Sequence, residues 1–598
     1  SNSKDSGRKM LARLVCKVVA SAMVGVSTPT IWAQTGSDND SGVDAGALLR
    51  QEEALQRPEP EPLLEQEAPA PLPELTGIGD VTVEVQEIEF TGAIDLVEAA
   101  ALEEAVAEAI GQSLDFQGLQ AIAERVTRRL KDEGWVLARA YLPEQDVTDG
   151  VITIEIVPGK LDVQGRAFRI ETIGDELRID PEFLGAMLTA LVEPGEPVRQ
   201  ADLDRAILLI NDLPGIDALA RLEPGEAAGS THILLSVREG PLWAASANVS
   251  NHGSRSTGAE RAGFTGNLND PLGIGDQFSL SLTRAEGLEL AQANYGRPLG
   301  ATGLRLNLGR TNLRYEVVNG DSAEFDVKGD AWTNTAGVTF PLLRRQSSNI
   351  NIGFDWTYEA LEDRVRGAKT DDKRVEYYSP QISGDHTDQL FGPTGRTNFS
   401  ITPVWGDVDL SRVPSSVAGD IFGTQGYFEK IDWSLSRLQS LGEMPMTLFT
   451  ELRGQWTDDA LDSSLGFQGG GVGGVRAYPG GEASGDEGYL FRTALRYQLP
   501  EDFTELGSLR LSAFYDSAWV TTHTSLPQGV EIDTATGENS YQIEGAGLGL
   551  TLTRGDWLTV SVNWAATIGD NPGRDVAGNN SDGRDDQQRA WLQAVIRL

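Results

Sequence analysis

Apolar and polar positions change their rhythm twice along this chain. Between Val81 and Pro158 the order is strand, helix, helix, strand, strand. Thr82 to Phe90 alternates Val83, Val85, Ile88 and Phe90 with polar residues, slipping by one position midway. Leu96 to Ile110 is rich in Ala and Glu and predicts a helix; Leu119, Ile122, Val126 and Leu130 form one apolar stripe of a second. Val151 to Val157 alternates strictly, with Ile152, Ile154 and Ile156 on one face. A similar order recurs from Lys160 to Glu239: Ile170 opens it, Pro181 to Val192 and Gln200 to Leu213 supply helices, and Thr231 to Val237 closes it. Two consecutive α+β modules follow, 81–158 and 159–239, an internal repeat of about 80 residues.

After Gly240 short alternating runs, separated by Gly, Asn, Asp and Ser clusters, continue to Leu598. Phe278, Leu280 and Leu282 alternate with Ser279, Ser281 and Thr283; Leu304, Leu306 and Leu308 with Arg305, Asn307 and Gly309. Ile350, Ile352, Phe354, Trp356 and Tyr358 alternate with polar partners, as do Leu558, Val560, Val562 and Trp564. One face is apolar with aromatics toward the strand ends, and the other is polar. A soluble sandwich and an antiparallel membrane barrel both carry this pattern.

The N-terminus bears on that choice. Lys4, Arg8, Lys9, Arg13 and Lys17 precede the apolar stretch Val18 to Val26, followed by Ile31-Trp32-Ala33. A basic region, a short apolar region and a small terminal residue describe a secretory signal peptide over 1–33, too short to span a bilayer. No later segment is a long apolar run, so a helical membrane protein is excluded, while an exported chain remains free to cross as a closed barrel. Residues 58–80 are an acidic linker in which Pro58, Pro60, Pro62, Pro69, Pro71 and Pro73 alternate with Glu, Ala and Leu, and cannot pack a core. Upstream, within 34–57, Asp44 to Arg57 predicts an isolated helix capped by Asp44: a frayed terminus, or a detachable plug or docking helix.

Composition narrows the partners. The 598 residues carry 89 acidic and 49 basic side chains, a net charge of −40 that disfavours nucleic acid. Loss of residues 1–33 takes that to −44 and removes Cys16, the one cysteine, so no disulfide framework or thiolate cluster is available. His232, His252, His386 and His523 lack a metal-ligand spacing, and no nucleophile elbow or phosphate-binding lysine is present. Gly469 to Gly474 leads into a hairpin tip rather than a phosphate cradle, and acidic Asp570 to Asp586 reads as a solvated outer loop rather than a Ca²⁺ site. No enzyme, metal or cofactor is expected.

Several segments carry a resemblance, in order, across almost the whole chain beyond residue 33. ARAYLPEQDVTDGVITIEIVPGKL (Ala138 to Leu161) resembles the end of the first POTRA domain of two-partner secretion transporters, the hemolysin secretion/activation proteins; INDLPGIDALARLEPGEAAGSTHILLSV (Ile210 to Val237) resembles their second. NHGSRSTG (Asn251 to Gly258), DPLGIGDQFSLSL (Asp270 to Leu282), YGRPLGATGL (Tyr295 to Leu304) and DAGALLRQEE (Asp44 to Glu53) are similar to the family's barrel entry and N-terminal helix. The resemblance implies POTRA modules followed by an all-β transmembrane barrel of 16 antiparallel strands, spanning 240–598.

The same resemblance assigns a site. GGVRAYPGG (Gly473 to Gly481) is similar to the tip of a long hairpin, here around 468–488, that folds back into the lumen. Its tip is Val475, Arg476, Ala477 and Tyr478. The wall partner is Phe514-Tyr515-Asp516-Ser517-Ala518. Strand parity agrees: with Leu509, Leu511, Ala513 and Tyr515 outward, Phe514, Asp516 and Ala518 face the lumen, where Asp516 can clamp Arg476. Ala477 and Ala518 stand where the family has glycines, and Leu598 where an aromatic residue is usual.

The resemblance implies a Gram-negative outer-membrane transporter with periplasmic POTRA domains. It would secrete an exoprotein bearing an N-terminal secretion domain, without ATP, as a monomer in outer-membrane lipid. Client capture is expected at a POTRA strand edge. An insertase for other outer-membrane proteins and a passive channel are the competing expectations. The client could be a hemolysin, an adhesin, a contact-dependent toxin or a heme-scavenging protein.

Overall fold

The computed structural model describes residues 43–57 and 82–598, apart from 146, 148, 164–166, 226–229, 443, 501–504, 531 and 533. The expected signal peptide and proline linker lie outside the described residues.

In the first module Val151–Val157 is the central strand, pairing in parallel with Glu87–Gly92 and antiparallel with Arg139–Tyr141. Ile152, Ile154 and Ile156 are at most 1% exposed and meet Leu119, Ile122, Val126 and Leu130 of the helix Phe116–Asp132. Asp115 caps that helix by accepting from the Gly118 amide at 2.7 Å. The expected strand from Thr82 to Phe90 is instead two. Val83–Glu84 pairs with Ser113–Leu114, and Glu87–Gly92 joins the main sheet. The slip in alternation marks the residues where the chain leaves one pairing for another.

The second module packs the helices Pro181–Thr189 and Gln200–Asn211 on Phe168–Thr172, Ser230–Glu239 and Ile216–Pro224. The sequence reading passed over Ile216–Pro224. Ile216 and Ala218 are buried, but Leu222 on the same face and Leu219 on the other both lie exposed, so apolar residues occupy both faces and the alternation blurs.

Sixteen antiparallel strands then close into a barrel, the first (Trp243–Ser250) pairing with the last (Gln588–Arg597). The apolar residues of the alternating runs point outward: Phe264, Leu282, Leu308, Ile352, Phe354, Leu511 and Leu548 are all exposed. Such a belt is stable against lipid and would be a large uncovered patch in water. Paired aromatics rim it, including Trp332 tilted against Tyr358 at 5.5 Å and Tyr489 stacked on Trp519 at 5.6 Å. The first strand begins just after the second module, so the turns on that side face the periplasm. Val327–Arg344, Ser348–Val365 and Ala368–Asp388 run 18, 18 and 21 residues, twice what a bilayer requires. The turn at 345–347 is tight, with Arg345 N donating to Ser348 O at 3.1 Å, so the excess stands on the outer side.

Candidate functional site in the barrel lumen

Among the described residues two elements fill the lumen. The first is the hairpin between Trp456 and Glu487, whose Gly-rich tip folds back against the wall. There Arg476 meets Asp516 edge-on: Nε donates to Oδ2 at 2.8 Å, Nη2 to Oδ1 at 2.7 Å, and the Arg476 amide to Oδ2 at 3.2 Å. Asp516 is fully buried, and the guanidinium lies over the Phe514 ring, 3.4 Å from its centroid. A fork-shaped cation is the one side chain that makes both carboxylate contacts and stacks on an aromatic face. Arg492 approaches the same carboxylate, Nε to Oδ1 at 3.7 Å, so Asp516 faces two cations.

Further groups hold the tip. The Trp591 indole, on the last strand, donates to the Arg476 carbonyl at 2.7 Å. Arg453 Nη2 donates to Gly473 O at 2.5 Å. Glu482 accepts from Asn571 Nδ2 at 2.6 Å and from the Ser581 amide at 2.7 Å, tying the hairpin to the outermost loop. Burial holds the Glu482 carboxyl above the usual range despite these donors. Tyr478, 1% exposed, has its phenol pushed up to about 12, chiefly by burial and then by Glu482. Val475 and Ala477 are fully buried against Ile543, Ala565 and their neighbours. Trp591, Arg453 and Glu482 escaped the sequence reading. Trp591 does leave a signal, an indole on the face it shares with Gln593 and Arg597.

Ala477 and Ala518 each face a glycine. A Cβ added to Gly545 on the wall would lie 2.5 Å from the Ala477 Cβ, and one added to Gly469 would lie 3.1 Å from the Ala518 Cβ. At both contacts a methyl packs against a glycine, which keeps the approach close. Gly545→Ala should therefore destabilise the docked hairpin by about 1–3 kcal/mol, as overpacking does. Ala477→Gly in the same chain should restore it. Limited proteolysis of the hairpin reads both, and a failure of the second change to rescue the first would refute the pairing.

The second element is the helix Ala45–Leu55, capped by Asp44, whose Oδ1 accepts from Ala47 N at 2.7 Å and from Ser463 Oγ at 2.8 Å. Leu48 and Leu49 are buried among Leu288, Leu290, Leu313 and Leu361 of the wall, worth roughly 1.5–3 kcal/mol each. One turn further along the same face, Glu52 receives both terminal nitrogens of Arg261, Nη1 at 3.0 Å and Nη2 closer still; both side chains are more than nine-tenths buried. At the N-terminus, Asp363 Oδ1 accepts from Ala45 N at 3.1 Å and from Tyr315 OH at 2.7 Å. Arg50 reaches Gly466 O at 3.3 Å, so helix and hairpin also touch each other.

Comparison with known proteins agrees with this architecture. The family model described as Haemolysin secretion/activation protein ShlB/FhaC/HecB matches residues 229–552, and that of the POTRA domain, ShlB-type, matches residues 83–159. The chain is 23% identical over 492 residues to the Heme/hemopexin transporter protein HuxB of Haemophilus influenzae (strain 86-028NP), covering 81% of this chain and 82% of that one. It is 24% identical over 549 residues to the Outer membrane transporter CdiB of Escherichia coli, covering 87% of each. The solved structure of CdiB from Escherichia coli superposes with a TM-score of 0.67 at 20% identity, over 92% of this chain and 95% of that one. CdiB from Acinetobacter baumannii gives 0.60 at 15% identity, over 92% and 96%. With a barrel of sixteen strands, a POTRA domain ahead of it and a family match over more than half its length, this chain belongs to the haemolysin secretion/activation (ShlB/FhaC/HecB) family of two-partner secretion transporters, an outer-membrane barrel with its POTRA domains in the periplasm.

Proposed function

We propose that this chain captures an unfolded exoprotein in the periplasm and passes it through its own barrel, acting as a monomer in outer-membrane lipid and without ATP. The observation that carries the reading is that the lumen is filled by two separately anchored elements rather than by the wall itself. A helix attached through a proline-rich segment and a hairpin held by one buried ion pair and a few hydrogen bonds can both be displaced, which a passive channel does not need. Val475, Arg476, Ala477 and Tyr478 form the gating tip in this reading, and Phe514, Asp516 and Ala518 its anchor on the wall. Folding of the client outside supplies direction.

Capture falls to the modules. Glu87–Gly92 and Arg139–Tyr141 are the outer strands of the first module's sheet, each paired on one side only among the described residues. An extended client adds there through backbone hydrogen bonds, which ask little of its sequence. Deleting residues 81–158 should abolish export of the partner exoprotein and leave the barrel assembled, as read by its heat-modifiable migration. Unchanged export would overturn the assignment. General loss of outer-membrane proteins on depletion would point instead to an insertase.

A further inference from the structure

Where the second module meets the periplasmic rim of the barrel, two adjoining cavities of about 360 and 620 Å³ share Asp212 and Arg305 as lining residues. Asp212 belongs to the module and is already spoken for: Arg344 of the rim binds it through Nε at 2.8 Å and Nη2 at 2.7 Å. The rim carboxylate Asp385 is engaged as well, by Asn349 Nδ2 at 3.1 Å and by Arg396 at 3.5 Å. Arg305 differs. It is half-buried at the start of the strand Arg305–Glu316 and lines both cavities, and its guanidinium makes no direct hydrogen bond or ion pair among the described residues, feeling Asp212 only at longer range.

Above Arg305 the wall is neutral and rich in donors and acceptors: Gln277, Ser279, Asn294, Asn307 and Thr335. Such side chains suit the amides of an extended backbone, and a guanidinium with no partner suits a carboxylate. In a chain with 89 acids against 49 bases, a cationic group waiting at the entrance runs against the overall charge. The long-range field favours basic segments, so a preference for acidic ones has to come from this cavity.

We propose that this cavity is a receptor for an acidic, extended segment of the exported chain, with Arg305 as the group that binds its carboxylate. This rests on the export reading and adds to it the chemistry of the client at the barrel mouth. Arg305 selects and orients the segment, and the neutral wall above lets it move on.

The test uses the purified full chain in nanodiscs and three labelled twelve-residue peptides, alternating Ser-Asp, Ser-Asn and Ser-Lys, followed by fluorescence anisotropy. The Ser-Asp peptide should bind about tenfold more tightly than the Ser-Asn peptide, and the Ser-Lys peptide more weakly than either. Arg305→Gln should remove most of that preference and Arg305→Glu should reverse it, with the barrel's heat-modifiable migration unchanged. Tighter binding of the Ser-Lys peptide, or an acidic preference indifferent to both substitutions, would overturn the proposal. Export of the partner exoprotein is measured in parallel. If export stays at the wild-type rate in Arg305→Glu, the receptor role falls alone; if the unsubstituted chain exports nothing, the export reading falls first.

Discussion

Replacing Arg476 with alanine should reduce export of the partner exoprotein by more than about tenfold while the barrel still assembles. Removing one member of a buried ion pair costs roughly 3–5 kcal/mol, because the remaining charge stays uncompensated. In this lumen the loss is shared. Asp516 keeps Arg492 within 3.7 Å, so the wall retains a counter-charge, whereas the hairpin tip loses its clamp and its stack on Phe514. The damage therefore falls on hairpin position more than on barrel stability. Arg476→Lys should behave nearly as badly, since an ammonium cannot make the paired contacts. Asp516→Asn should resemble Arg476→Ala in export and, leaving Arg476 and Arg492 facing each other without an acid between them, should lower thermal stability further. Wild-type export by Arg476→Ala would exclude the tip as a working part.

How much of this was legible beforehand follows from the physics of strands. Alternation has a period of two, so it tells which face each residue takes, and it placed Phe514, Asp516 and Ala518 on the lumenal side without any structure. It does not tell what stands across the lumen. Trp591 meets the Arg476 carbonyl because the last strand closes on the first, a consequence of the whole barrel that no local pattern contains. Gly545 facing Ala477 and Gly469 facing Ala518 were equally hidden; a small residue announces a close approach only once its neighbour is known. In the first module the slip between Val83 and Ile88 was visible, but its meaning, a change of pairing partner, was not. The N-terminal helix was legible as a helix from its cap and composition. Its seat was not, since Arg261 lies 209 residues away from Glu52 and nothing in either segment names the other.

That seat yields the other large effect. Arg261→Ala should raise the frequency of channel openings in planar bilayers by about a hundredfold, corresponding to some 3 kcal/mol lost from the docked helix. The reasoning turns on Glu52, which would remain buried among the wall leucines with no cation beside it. The helix can relieve that cost by leaving the lumen, because its covalent link to the barrel runs through the segment that follows Arg57 and its other contacts are non-covalent. Glu52→Ala alone should open the channel less often than Arg261→Ala, since the stranded Arg261 stays on the wall, near the outer mouth, whether or not the helix is docked. The double variant separates charge from packing. With both partners gone no buried charge is left, and Leu48 and Leu49 still hold the helix in place. Openings should therefore return toward the wild-type frequency, with a coupling energy of about 1–3 kcal/mol across the double-mutant cycle. Additive effects would mean that Glu52 and Arg261 act separately, and that the apolar face alone keeps the helix in the lumen.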